Sequence, residues 1–234
     1  MPNLNSINMK NVIGVFVILL LATLNPQILK AQKKFEVDEF KEIKVFSKIH
    51  VQVKIAETNR VEINAGNPDD ISIFVEEGVL KIKSTLKNLW EDEDIQIDVY
   101  AKNPVILDAN EGAYIYAEKI NQPELHLKVQ EGSEIKVVDV DVKTLRLKAV
   151  TGGILTAKGL AEDQIVKVRT GGEYDGQGLI SKKTTVEINA GGLARVHATE
   201  ACDAKASTGG NILIYGKPKS LNKKASFGGS ISLK

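Results

Sequence analysis

The 234-residue sequence has a single cysteine, Cys202, and few aromatic residues: six Phe, five Tyr and one Trp. A lone cysteine makes neither an internal disulfide nor a thiolate metal site. In an oxidising compartment it persists as a buried, inert thiol. So few rings mean a core built of aliphatic side chains. Neither sign of charge dominates, with 31 basic against 30 acidic residues, so the composition offers no support for a nucleic-acid partner. With 43% hydrophobic and 26% charged residues, disorder and a multi-span membrane protein are excluded. Strong helical periodicity is absent beyond residue 31, and so are a phosphate loop, a nucleophile elbow and a zinc-binding helix.

One apolar run stands out, Val12 to Leu24, thirteen uncharged residues preceded by Lys10. It is shorter than the about 20 residues a membrane helix needs and fits the apolar region of a secretory signal. Ala31 supplies a small residue for cleavage, so residues 1–31 read as a signal peptide, with no membrane span left after cleavage. Without Lys10 and Lys30 the formal charge changes from +1 to −1.

What the chain does have is a repeat. A pair of small residues recurs as Gly112-Ala113, Gly132-Ser133, Gly152-Gly153, Gly171-Gly172, Gly191-Gly192, Gly209-Gly210 and Gly228-Gly229, every 18–20 residues. Five and three residues before each first glycine stand apolar residues such as Leu127 and Val129, or Val166 and Val168. Three and five residues after it come Ile115 and Ala117, Ile135 and Val137, or Ile212 and Ile214. Apolar residues at every second position predict strands with one buried face. Between them, four before the glycine, stand Lys128, Lys148, Lys167, Glu187, Lys205 and Lys224. Each repeat therefore reads as strand, glycine corner, strand. Stacked on its copies, it becomes one coil of an all-β solenoid, each coil adding about 4.8 Å. Lys223, the one charge in an inward column, falls in the last repeat, where an inward position opens to solvent.

Residues 32–103 carry strand patterns without the glycine pair and are expected to cap the solenoid or to form irregular first coils. The domain reading is thus residues 32–234 as one unit, with seven glycine-corner repeats over 104–234.

Chemistry-bearing groups are sparse. His50, His126 and His197 lack metal-ligand spacing. The run Glu91 to Asp94 after Trp90 has the oxygen ligands that suit Ca²⁺, but not the spacing of a calcium loop, and reads as a solvated loop. Asp139 and Asp141 are a carboxylate pair on one strand, the kind of pair glycan-cleaving enzymes use, yet adjacent repeats add no acid beside them. No catalytic residue, cofactor or metal is assigned. Two and four positions after the glycines the side chains point outward, and there stand Tyr114, Tyr116, Ile154, Leu193 and Leu213. These five form the candidate binding face, with Trp90 and Tyr215 as further aromatic candidates, suited to stacking on sugar rings or joining another protein.

Three stretches carry a family resemblance: FSKIHVQVKIAETNRVEINAG with VEEGVLKIKS, the Gly-Gly series, and the ending GGNILIYGKPKSLNKKASFGGSISLK. From about Phe40 to Lys234 the chain resembles the family called putative auto-transporter adhesin, head GIN domain. The resemblance implies a right-handed parallel β-helix and an exported protein of a Gram-negative envelope, in the periplasm, on the outer surface or secreted. It supplies no catalytic residues. The leading expectation is a non-enzymatic adhesion or binding module that meets a glycan or protein at the cell surface. The alternatives are a carbohydrate-active enzyme on the same scaffold, and a structural protein that self-assembles into homo-oligomers through its apolar face.

Overall fold

A computed structural model describes residues 33–85 and 95–234. Residues 33–234 form one compact unit. The strands are β1 (Lys33–Glu36), β2 (Glu42–Val45), β3 (His50–Ile55), β4 (Arg60–Ala65), β5 (Ile71–Glu76), β6 (Val79–Ser84), β7 (Gln96–Ala101), β8 (Ile106–Ala109), β9 (Tyr114–Val129), β10 (Glu134–Val150), β11 (Ile154–Arg169), β12 (Glu173–Asn189), β13 (Leu193–Ser207), β14 (Asn211–Tyr215), β15 (Ser220–Ser226) and β16 (Ser230–Leu233). No α-helix occurs among the described residues.

The fold is a β-solenoid of about six turns with coils about 20 residues apart. β9 through β13 lie parallel and in register, each on the next. The four inward columns continue through the stack: Leu127, Leu147 and Val166 in one, and Ile115, Ile135, Leu155 and Tyr174 in another, all buried. One inward exception explains itself. Gly176 lacks a side chain because the Tyr174 hydroxyl fills that space, and a β-carbon would lie 2.2 Å from it. Cys202 is buried in the same core, and burial pushes its thiol up to about 11.

Between glycine corners, the coil has more sides than a strand–corner–strand unit. The inward residues change phase twice along β10: Ile135 and Val137, then Val140 and Val142, then Leu145, Leu147 and Ala149. The first phase change falls where Lys119, Asp139 and Gly159 take positive φ, of 58°, 56° and 135°. The coils of β9, β10 and β11 therefore have three flat sides. The sequence pattern concealed this because a single left-handed residue turns the chain without interrupting the ladder by more than a bulge.

The glycine corner is a tight turn. Thr151 and Gly152 both have positive φ, 49° and 72°, and the N–H of Gly153 donates to the carbonyl of Val150 at 3.0 Å. Two left-handed residues closing an i to i+3 bond have the pattern of a type I′ turn. The N–H of Gly152 is aimed along the stack, donating to the carbonyl of Thr170 in the next coil at 3.3 Å.

The N-terminal strands supply two coils and a cap. β2 pairs in parallel with β8, and β3 with β9, joined by a corner at Ser47 and Lys48 whose φ values are 62° and 57°. β6 and β7 stack in turn on β2 and β3. The order in space is thus not the order in sequence. Antiparallel β5 covers β6, antiparallel β4 covers β7, and β1 covers β4. Antiparallel covers close a sheet edge that would otherwise recruit further strands. At the other end Lys223 is exposed in the last coil.

Candidate functional site

The side of the solenoid that follows the glycine corner presents two outward rows. The parallel register places Gln96, His50 and Tyr114 next to one another in the first row, and Asp98, Gln52 and Tyr116 in the second. Neighbours in such a row are about 4.8 Å apart. β4 adds Asn64, pushed out by a register shift between Ile63 and Ala65. Together these residues line a groove of about 390 Å³.

Its chemistry is mixed. The His50 and Tyr114 rings meet edge to face, centroids 5.6 Å apart at 60°, a favourable arrangement of ring quadrupoles. The Tyr116 hydroxyl donates to Oε2 of Glu118 at 3.0 Å, and that bond holds its pKa above the ordinary tyrosine value. Desolvation does the same for Tyr114, with the nearby Glu134 charge adding to it. Both hydroxyls are therefore protonated donors at neutral pH. At the far wall Lys54 Nζ lies 2.7 Å from Oδ2 of Asp98, and this hydrogen bond raises the lysine pKa. Beyond it the Arg60 guanidinium stacks 3.5 Å from the centre of the Tyr100 ring, while Glu62 accepts from Arg60 at 3.1 Å.

The five residues of the sequence-derived face do not form one surface patch. Tyr114 and Tyr116 share the groove. Glu134 separates Tyr114 from Ile154 in the first row, and Glu173 separates Ile154 from Leu193. In the second row Lys136, Thr156, Asp175 and Arg195 intervene between Tyr116 and Leu213. A salt bridge from Arg195 to Glu173, 2.7 Å long, crosses the strip between Ile154 and Leu193. The groove's other walls escaped sequence reasoning because His50, Gln52, Gln96 and Asp98 lie in strands whose stacking order differs from their chain order.

Asp139 sits at the positive-φ bend. Asp141 opposes Asn121 on one side and Leu160 on the other. Trp90 and the run from Glu91 to Asp94 lie outside the described residues. Among the described residues no three His, Cys, Asp or Glu side chains gather as a metal site would require. No helix among them is long and apolar enough to cross a membrane.

The family model described as "Putative auto-transporter adhesin, head GIN domain" matches residues 39–218. The chain belongs to that family. Its fold recurs in solved structures. A putative adhesin from Bacteroides fragilis aligns with TM-score 0.77 at 15% identity, covering 87% of this chain and 96% of the other. One from Parabacteroides merdae gives 0.68 at 18% identity, covering 87% and 95%. A structure titled putative lipid binding protein, from Parabacteroides distasonis, gives 0.67 at 17% identity, covering 87% and 96%. At such identities the likeness speaks for fold alone. Among curated proteins no match to this chain is found.

Proposed function

We propose that this member of the adhesin-like family is an exported, non-enzymatic binding module of the cell envelope, which presents the Tyr114–Tyr116 groove to a glycan. Export rests on the signal-like run from Val12 to Leu24 and on membership of the family. The observation that carries the binding reading is the placement of two half-buried tyrosines and His50 on a rigid sheet beside Gln52, Asn64, Gln96 and Asp98. Ring faces suit the apolar C–H faces of sugars, and amides and a carboxylate suit hydroxyl groups in fixed directions. Parallel pairing on both sides of β3 supplies rigidity, so little ordering entropy is lost when a ligand docks.

The enzyme alternative has no comparable support, since the carboxylate of Asp141 has Asn121 and Leu160 as its directly opposed neighbours. The deciding experiment is binding of the full chain to a glycan array. Wild type is expected to retain one glycan class, and Tyr114→Ala/Tyr116→Ala to lose it while its stability stays within about 2 kcal/mol of wild type. Retention by the double variant, or no glycan bound by wild type, overturns the reading.

A further inference from the structure

Across the glycine corner from the groove, the solenoid carries a column of lysines that the binding reading leaves unused. Register stacks Lys81 on Lys44, then Asp108, Lys128, Lys148, Lys167, Glu187, Lys205 and Lys224. Like charges directly opposite on adjacent strands destabilise a sheet. Lys128, Lys148 and Lys167 stand in three consecutive coils all the same. Arg146 flanks the column on one side and Arg169 on the other, on the same strands, β10 and β11.

The cations at the N-terminal margin have partners. Lys44 lies 3.6 Å from Asp108, Lys128 lies 3.5 Å from Glu42, and Arg146 lies 3.2 Å from Glu124. Among the described residues Lys148, Lys167 and Arg169 form no salt bridge, and all three are exposed. The centre of this face is therefore a strip of exposed positive charge on a stiff support, with Glu124 beside Arg146 and Glu187 opposite Lys167 as its nearest acids.

We propose that the strip of Arg146, Lys148, Lys167 and Arg169 binds the repeating anions of an acidic polysaccharide. The coil spacing of about 4.8 Å repeats the cations on the scale at which an extended acidic polysaccharide repeats its carboxylates or sulfates. Asp108, beyond Lys128, and Glu187 bound the lysine column along the stack, so it suits a narrow chain better than a planar anionic membrane. Aromatic stacking platforms, which single-stranded nucleic acid requires, are missing from these columns. The bound anions also offset the lysine–lysine repulsion, so ligand and fold stabilise each other. This strip and the tyrosine groove lie on different sides of the coil, and neither reading depends on the other.

The test is fluorescence anisotropy of the full chain with labelled heparin and polygalacturonate oligosaccharides, alongside phosphatidylglycerol vesicles and a single-stranded oligonucleotide. Wild type is expected to bind at least one of the two polysaccharides saturably, and more weakly as salt rises. Lys148→Gln/Lys167→Gln is expected to weaken that binding roughly tenfold or more and to leave the melting midpoint unchanged or raised. Lys148→Arg/Lys167→Arg should retain binding. The charge-matched control Lys143→Gln/Lys182→Gln, away from the strip, should leave it unchanged, as should Tyr114→Ala/Tyr116→Ala. Absence of polysaccharide binding, equal loss in the control, or stronger binding to vesicles or the oligonucleotide overturns the proposal. A lowered midpoint in Lys148→Gln/Lys167→Gln overturns the repulsion argument, and the arginine variant then decides the binding claim alone.

Discussion

The backbone of Gly153 passes so close to Val129 in the preceding coil that a β-carbon on Gly153 would lie 2.7 Å from the Val129 carbonyl oxygen. One residue earlier, Gly152 has open space around it and a φ of 72°. The two glycines of one pair thus meet different demands, conformational at the first and steric at the second.

Asparagine tolerates the left-handed region, so it separates the two demands. Gly152→Asn is expected to change stability by less than about 0.5 kcal/mol. Gly153→Asn must push two coils apart and should cost about 1–3 kcal/mol. Urea unfolding of both variants measures the difference, and equal midpoints would remove the distinction.

Three corners place a β-branched residue at the first left-handed position: Thr151, Thr170 and Thr208, with φ of 49°, 50° and 51°. Such a residue is strained there, at roughly 1 kcal/mol each. Thr151→Asn and Thr208→Asn should therefore each raise the midpoint. Because these corners are three coils apart, the double variant should show the sum of the two gains. A loss of stability in either single variant would show that the threonine side chain has a compensating role.

How much of this was legible in the sequence depended on whether position in the chain equals position in the stack. For residues after Gly112 it does, so the 18–20-residue interval gave the coil, its inward columns and the glycine corners directly. Before that point, coils β2–β3 and β6–β7 are stacked out of chain order, and the corner at Ser47 and Lys48 contains no glycine. Those strands could be recognised, but their partners could not. The groove is built across this boundary: Tyr114 and Tyr116 come from the readable part, and the residues facing them come from the other. The second bend, at Lys119 and Asp139, was hidden for a different reason. A left-handed charged residue carries no turn signature of its own, and its one-residue change of apolar phase, Val137 to Val140, is masked by the run of valines around it.

Inside the solenoid, four polar residues interrupt the aliphatic columns. Gln164 donates from Nε2 to the Tyr174 hydroxyl at 2.5 Å, and its carbonyl oxygen accepts from the Thr184 hydroxyl at 3.2 Å. Ser181 Oγ lies 2.6 Å from Thr184 Oγ1 and 2.9 Å from the carbonyl oxygen of His197; with the Thr184 proton committed to Gln164, the single Ser181 proton serves one of these two acceptors. Burial raises the Tyr174 pKa far above the ordinary range, so the hydroxyl stays neutral. Tyr174→Phe removes one acceptor and leaves the buried amide of Gln164 short of a partner. The expected cost is about 1–3 kcal/mol. Adding Gln164→Leu should recover part of it, because the orphaned amide is then gone. A double-mutant cycle by urea unfolding reads the coupling directly, and strict additivity would dissolve the network.

Acid should act on the N-terminal part of the solenoid through two carboxylates, Glu62 in the cap and Asp108 in β8, whose effects have opposite sign. The hydrogen bond from Lys34, reinforced by one from Arg60, holds the Glu62 carboxyl below the ordinary glutamate range. Its folded pKa is lower than its unfolded pKa, so its contribution is complete above the unfolded value and is lost as pH falls through the folded one. Asp108 behaves in reverse. Burial raises its pKa despite the neighbouring Lys44 and Lys128. Protonation therefore favours the fold, and stability falls as pH rises from the ordinary aspartate value to the raised one. In wild type the two trends partly cancel in the carboxylate range. Glu62→Gln should flatten the loss of stability on acidification, and Asp108→Asn should steepen it. Urea midpoints followed from neutral into acid pH test both signs, and a change in the same direction for the two variants would refute the assignment.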